Sequence, residues 1–162
     1  MNDKNPFPEL NLPACELSIR EQGDERMEVL DIIRRKYVML SPEEWVRQHI
    51  VHYFLNYLEV PKTLTVVEQS MKVGRMEKRV DIAVYDKKTN PILLAECKAP
   101  SVKLSQQVID QALRYNMKMH VSYLLITNGM QHMGFFIDYE QNKTMALKGL
   151  PKYEGMMNGE AV

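Results

Sequence analysis

The chain has only two cysteines in 162 residues, Cys15 and Cys97, far apart and without metal-ligand spacing. That excludes a disulfide framework and a cysteine-built zinc site. Its histidines (His49, His52, His120 and His132) form no HExxH or related arrangement. Neither sign of charge is in excess: 21 basic residues face 21 acidic ones, for a formal net charge of zero. Proteins that coat nucleic acid non-specifically are usually basic, so any such contact here must come from a local patch. No apolar run approaches the roughly 20 residues that span a bilayer. The N-terminus is polar and Pro-rich, unlike a secretory signal, so the expected compartment is the cytoplasm, with no membrane attachment. No GxxxxGK[ST] nucleotide loop, internal repeat or low-complexity tract occurs. What is present is ordinary for a globular protein, 45% hydrophobic and 26% charged. The length suits one domain with a single core.

Residues 1–13 hold three prolines and no periodicity, and read as an extended arm. The stretch "CELSIREQGDERMEVLDIIRRKYVML" reads as strand, turn at Gly23–Asp24, strand and a short continuation: a β-hairpin extension completing residues 1–39. The clearest helix follows, over about 42–58. Ser41 is its N-cap, Pro42 stands at the first helical position, and Glu43 and Glu44 suit its positive end. His49 and His52 lie on that helix without a carboxylate cluster, so they read as surface partners and not ligands. A strand is expected over about 64–70, then a basic, flexible connection "MKVGRMEKR". Two β-rich runs, "RVDIAVYD" and "PILLAECK", flank a short polar loop and form a hairpin. "SQQVIDQALRYNMKM" is a second helix capped by Ser105; "VSYLLITNG", "MGFFIDYE" and "KTMALKG" are strands. This order predicts an α/β or α+β fold, a mixed central sheet flanked by helices, over a core of residues 40–150. Residues 151–162 lose periodicity and are expected to form a flexible tail.

The hairpin allows a register to be drawn. With Lys87 to Asn90 as its loop, Asp86 pairs with Pro91, Val84 with Leu93, and Asp81 with Glu96. Opposed side chains share a face about 4.5–5.5 Å apart, and two carboxylates so placed repel. Alternation puts Lys98 on the same face and Cys97 on the other. A hard divalent cation such as Mg²⁺, which takes oxygen ligands, would reconcile the two acids. An ordinary salt-bridged cluster at a strand end is the competing reading, and spacing does not separate the two.

Asp81, followed after fourteen residues by Glu96-Cys97-Lys98 on a paired strand, resembles the PD-(D/E)XK nuclease motif. Gln111 and Tyr115, four apart on the next helix, are similar to the Q-x-x-x-Y motif of one branch of that superfamily. Together, "SPEEWVRQHIVHYFL", "KRVDIAVYD", "LLAECKAPSVKL", "QALRYN" and "YLLITNG" resemble the N-terminal nuclease domain of type I restriction enzyme R subunits over about residues 40–138. The resemblance implies a restriction-endonuclease-like fold and Mg²⁺-dependent DNA cleavage, with Mn²⁺ as a substitute. Asp81, Glu96 and the Cys97 carbonyl would hold the metal, and Lys98 would be the catalytic lysine. Glu44, in preference to Glu43, would add a further acid, although compensation of the helix dipole explains that pair equally well. Gln111 and Tyr115 would contact the substrate backbone or buttress the site. Val80 stands where the motif has proline, and no helicase motor follows.

Lys72, Arg75, Lys78 and Arg79 cluster before Asp81, and Lys103, Arg114 and Lys118 flank the second helix. Of these, Lys78, Arg79, Lys103, Arg114 and Lys118 are the candidate phosphate contacts. No aromatic interleaving supports a single-strand stacking platform. The expected partner is DNA, with RNA not distinguished. A restriction or repair protein could supply specificity through the N-terminal hairpin and arm, and homodimerisation is left open. The alternative is a binding or interaction module that keeps the fold without cutting.

Overall fold

The computed structural model describes residues 5–23 and 25–161. Its centre is a six-stranded mixed sheet formed by β4 (Thr65–Val73), β5 (Met76–Tyr85), β6 (Pro91–Cys97), β7 (Tyr123–Thr127), β8 (His132–Asp138) and β9 (Lys143–Leu147), adjacent in that order. Every neighbouring pair is antiparallel except β6 and β7. A parallel pair needs a crossover, and α2 (Gln106–Met119) supplies it. On the other side lies α1 (Pro42–Asn56), capped as its sequence predicts: the Ser41 hydroxyl accepts the Glu44 amide at 3.0 Å. Strand alternation divides the core into two layers. Leu93, Ala95 and Cys97 pack with Val46, Ile50 and Phe54 beneath α1. Leu94, Leu124 and Ile126 pack with Ile109 and Ala112 beneath α2.

The N-terminal extension is a three-stranded sheet of β1 (Ile19–Gln22), β2 (Arg26–Asp31) and β3 (Lys36–Met39), so the expected short continuation is a strand of its own. The bend before it is built by Asp31, whose Oδ1 accepts the amides of Ile33 at 2.8 Å and Arg34 at 2.7 Å. The expected turn at Gly23–Asp24 includes Asp24, which lies outside the described residues; around it Gln22 pairs with Arg26. The arm is fastened to the core. Trp45 Nε1 donates to the Pro8 carbonyl at 3.0 Å, Phe7 stacks on Trp45, and Leu10 is buried against Gly129.

Three local expectations need correction. Residues 71–79 are not a flexible connection: β4 and β5 pair to the tight turn after Val73↔Met76, where Gly74 takes a positive φ of 61°. Residues 151–161 are not a loose tail. They form α3 (Tyr153–Met157), Met156 enters the core, and Tyr123 donates its hydroxyl to the Glu160 carbonyl at 2.6 Å. A five-residue helix has too few turns to show a period, which is why packing decides it. In the β5–β6 hairpin Val84 does pair with Leu93, but Pro91 pairs with Tyr85 instead of Asp86, because the register shifts between Val84 and Tyr85.

Gly129 reports on the arm. Its φ is +82°, and a Cβ there would lie 2.7 Å from Leu10 Cδ2 and 3.1 Å from Val46 Cγ2. Gly129→Ala is therefore expected to lose about 1–3 kcal/mol in urea unfolding, through backbone strain and overpacking. Trimming Leu10 to Ala in the same chain should make the combined loss smaller than the sum of the two; strict additivity would show that arm and turn do not press on each other.

Candidate active site

The β5–β6 ladder runs only from Tyr85↔Pro91 to Ile82↔Ala95. One residue further, Asp81 does what a backbone acceptor otherwise would: its Oδ2 accepts the Cys97 amide at 2.8 Å. Asp81 and Glu96 thus meet at the end of the pairing, not as a ladder pair. On its other flank, the pairs Val67↔Ile82 and Gln69↔Val80 leave a gap opposite Asp81. Glu68 occupies that gap in a left-handed backbone conformation, φ 53°, which costs a non-glycine residue about 1–2 kcal/mol. Three guanidinium contacts to its carboxylate offset this: Arg79 at 2.7 Å, Arg34 at 3.1 Å and Arg47 at 3.1 Å.

Asp81, Glu96 and Lys98 line one cavity of about 270 Å³. Lys98 Nζ lies 3.0 Å from Glu96 Oε1, and Lys78 Nζ lies 3.5 Å from Glu96 Oε2. Burial alone would lower the Lys98 pKa, but its hydrogen bond and charge interaction with Glu96, joined by Glu43 and Asp81, raise it. Lys98 is therefore firmly a cation at neutral pH. Cys97 points into the core beneath α1, fully buried, and burial followed by the Asp81 charge keeps its thiol protonated.

Of the two acids on the first turn of α1, Glu43 lines the cavity and Glu44 does not. The cavity lining thus favours Glu43 over the expected Glu44. Its Oε1 accepts Arg34 and Gln48 at 2.8 Å each, and its Oε2 pairs with Arg47, so the carboxylate is consumed by buried partners. Burial, and next the Asp81 charge, push the Glu43 pKa up, only partly offset by Arg47 and Lys98. Through Arg34 the chain of charges continues from Glu44 to Asp31, wholly buried. Burial raises its pKa, but the hydrogen bonds from Arg34 and Gln48 outweigh that and hold it below its usual value.

The remaining candidates divide. Lys78 and Arg79 line the cavity, and Lys78 also sits 4.1 Å above the Tyr115 ring. Tyr115 faces the cavity too, but Gln111, Arg114 and Lys118 line a neighbouring hollow of about 340 Å³ that Tyr115 shares. Lys103 lines neither, nor do Lys72 and Arg75 near the turn of the β4–β5 hairpin. The sequence reading missed Arg47 and Glu68. Arg47 had a signal: it follows Glu43 by four residues and Glu44 by three, on one helix face. Glu68 had a weaker one, a charge inside the apolar run "LTVVEQS".

The donors suit a hard cation in kind, since the Asp81 and Glu96 carboxylates and the Cys97 carbonyl are all oxygens. Among the described residues, no three His, Cys, Asp or Glu side chains gather closely enough to hold a metal by themselves. A cation here would rest on two carboxylates and a carbonyl.

A mixed sheet with helices on both faces and a carboxylate–lysine cluster at the end of a hairpin defines a nuclease-like fold. The chain belongs to the family of type I restriction enzyme R protein N termini (HSDR_N), which it matches over residues 42–151. It is similar in fold to a fragment structure described as an HsdR subunit of a type I restriction enzyme from Vibrio vulnificus YJ016, at 17% identity and a TM-score of 0.51. That similarity covers 74% of this chain and 25% of the other, so this chain spans about a quarter of that one's length. No curated protein matches the sequence.

Glu44→Gln should cost about 1–3 kcal/mol in chemical unfolding, because it removes one charged acceptor from two guanidiniums that are largely out of water but keep their other carboxylates. Glu43→Gln should instead stabilise at neutral pH. A raised carboxyl binds its proton more tightly in the folded state, so its contribution is present below the ordinary glutamate value and lost as pH rises through the raised one. The difference between wild type and Glu43→Gln should therefore grow with pH over that window; a flat difference would contradict the assignment.

Proposed function

We propose that this chain is a Mg²⁺-dependent nuclease module that hydrolyses DNA phosphodiester bonds, with Mn²⁺ able to substitute. One observation carries the reading: Asp81, Glu96 and Lys98 reach one cavity at the end of the β5–β6 hairpin. Asp81, Glu96 and the Cys97 carbonyl are the residues that would hold the cation. When bound, it supplies Lewis-acid polarisation of the phosphate and a more acidic attacking water.

The protein's own groups do the rest. Lys98, kept protonated by Glu96, acts as a fixed positive charge where the phosphate gains negative charge, and not as a resting general base. Arg79 and Lys78 border the same cavity and are placed to neutralise phosphates on either side of the scissile one. Arg114 and Lys118, with Gln111 and Tyr115, extend that surface along α2. With net charge zero, attraction to DNA depends on these few contacts, and binding should weaken with salt in proportion to them. Family membership supports the reading, since the family is that of a restriction enzyme's R protein. Further chains or domains are then the natural source of sequence specificity. No described helix is long and apolar enough to cross a membrane.

A second reading has one observation in its favour. Both Asp81 oxygens already have partners, Arg47 at 2.7 Å and the Cys97 amide at 2.8 Å, so the fold can stand without a cation as a binding module. Cleavage of plasmid and linear duplex with Mg²⁺, Mn²⁺ or chelator separates the two. The nuclease reading expects metal-dependent nicking or cutting that falls at least ~100-fold in Lys98→Ala. Metal-independent, salt-sensitive DNA binding that survives Asp81→Ala, with no cleavage by wild type, would favour the binding module.

A further inference from the structure

Arg47, like Glu68, is assigned by no motif, and its surroundings are unusual. It is 4% exposed, yet its guanidinium touches four carboxylates. NH2 lies 2.7 Å from Asp81 Oδ1 and 3.3 Å from Glu43 Oε1; NH1 pairs with Glu44 Oε2 and lies 3.1 Å from Glu68 Oε1. Its Nε, also buried, has no hydrogen-bond partner. A side chain held by one optimal set of partners would not leave a buried donor unpaired, so this one is a compromise among competing acids. The two oxygens of Asp81 differ as well. Oδ2 is tied to the Cys97 backbone amide, which is fixed by the strand, whereas Oδ1 is tied to a side chain.

We infer that Arg47 is a positioning residue that holds Asp81 Oδ1 when no cation is bound and yields that oxygen to the divalent cation, retaining its grip on Glu44 and Glu68. Cation binding is then an exchange of counter-charges at Asp81, not the filling of an empty site. This rests on the nuclease reading above. Three features support the exchange. Glu44 and Glu68 keep NH1 paired after NH2 lets go, so the guanidinium is never left without a partner in the interior. Glu43 offers NH2 a second acceptor on the same helix. A guanidinium and a dication cannot share one carboxylate oxygen at full strength, since their charges repel across a partly buried cavity. The protein thus carries its own competitor for its metal, which keeps the acid in place at the expense of cation affinity.

The test measures cation binding, not cleavage. Manganese affinity is taken by calorimetry on wild type, Arg47→Met, Arg47→Lys and Asp81→Asn, with thermal unfolding of each. Arg47→Met should unfold more easily than wild type yet bind Mn²⁺ at least ~10-fold more tightly, since a unit charge beside the dication has gone. Arg47→Lys, which keeps the charge, should bind within a few-fold of wild type. Equal or weaker Mn²⁺ binding by a folded Arg47→Met overturns the inference while leaving the nuclease site standing. Should that variant not fold, the wild-type guanidinium resonances of Arg47 decide: they should move on titration with Mg²⁺ and stay fixed in Asp81→Asn, and resonances that stay fixed in saturated wild type overturn the exchange. If wild type binds no divalent cation at all, the nuclease reading itself fails, and this inference fails with it.

Discussion

The ion pair between Arg47 and Asp81 joins everything the site requires. An acid at the end of a strand ladder, in a partly buried cavity, is unfavourable unless a cation stands beside it. Arg47 supplies one, and because it rises from the first turns of α1 it also ties that helix to β5. Its other nitrogen reaches Glu44 and Glu68, and through them Arg34 and Asp31 at the end of β2. The N-terminal sheet is therefore part of the electrostatic support of Asp81, not an appendage. The same chain of charges fixes the ladder break: Glu68 holds a disfavoured backbone conformation opposite Asp81 because three arginines converge on its carboxylate.

Much of the fold was legible because local signals agreed with it. Ser41-Pro42 and Ser105 mark both long helices, and β-rich apolar runs mark the strands on either side of Lys87 to Asn90. What escaped was decided by contacts too distant in sequence to leave a period. The third N-terminal strand is four residues long, and α3 is five; each is stabilised by packing, the latter by Met156 in the core. The basic run around Gly74 reads as a loop by composition, yet its polar side chains belong to an exposed strand pair that cross-strand hydrogen bonds hold together.

The site was legible to the same depth and no further. Asp81, Glu96 and Lys98 were found because a hairpin converts sequence spacing into proximity, and that conversion needs only the register. The choice between Glu43 and Glu44 could not be made that way. Adjacent residues on a helix point about a quarter-turn apart, and which of them faces the cavity depends on how α1 sits on the sheet. Arg47 and Glu68 come from elements whose mutual placement no local pattern encodes. The basic residues show the same limit: Lys78 and Arg79 sit on the strand that carries Asp81 and reach the cavity, while Lys103 belongs to a loop that does not.

These features describe a site whose acids are balanced by the protein's own cations and whose lysine is locked in its charged form by a neighbouring glutamate. The most direct check is where a divalent ion settles. In a crystal soaked with Mn²⁺, the anomalous signal should lie between Asp81 and Glu96, within ligand distance of both and of the Cys97 carbonyl, and be absent from Asp81→Asn. A fully soaked crystal with no signal there, or with the ion held elsewhere, would contradict a metal-dependent nuclease site at the end of the β5–β6 hairpin.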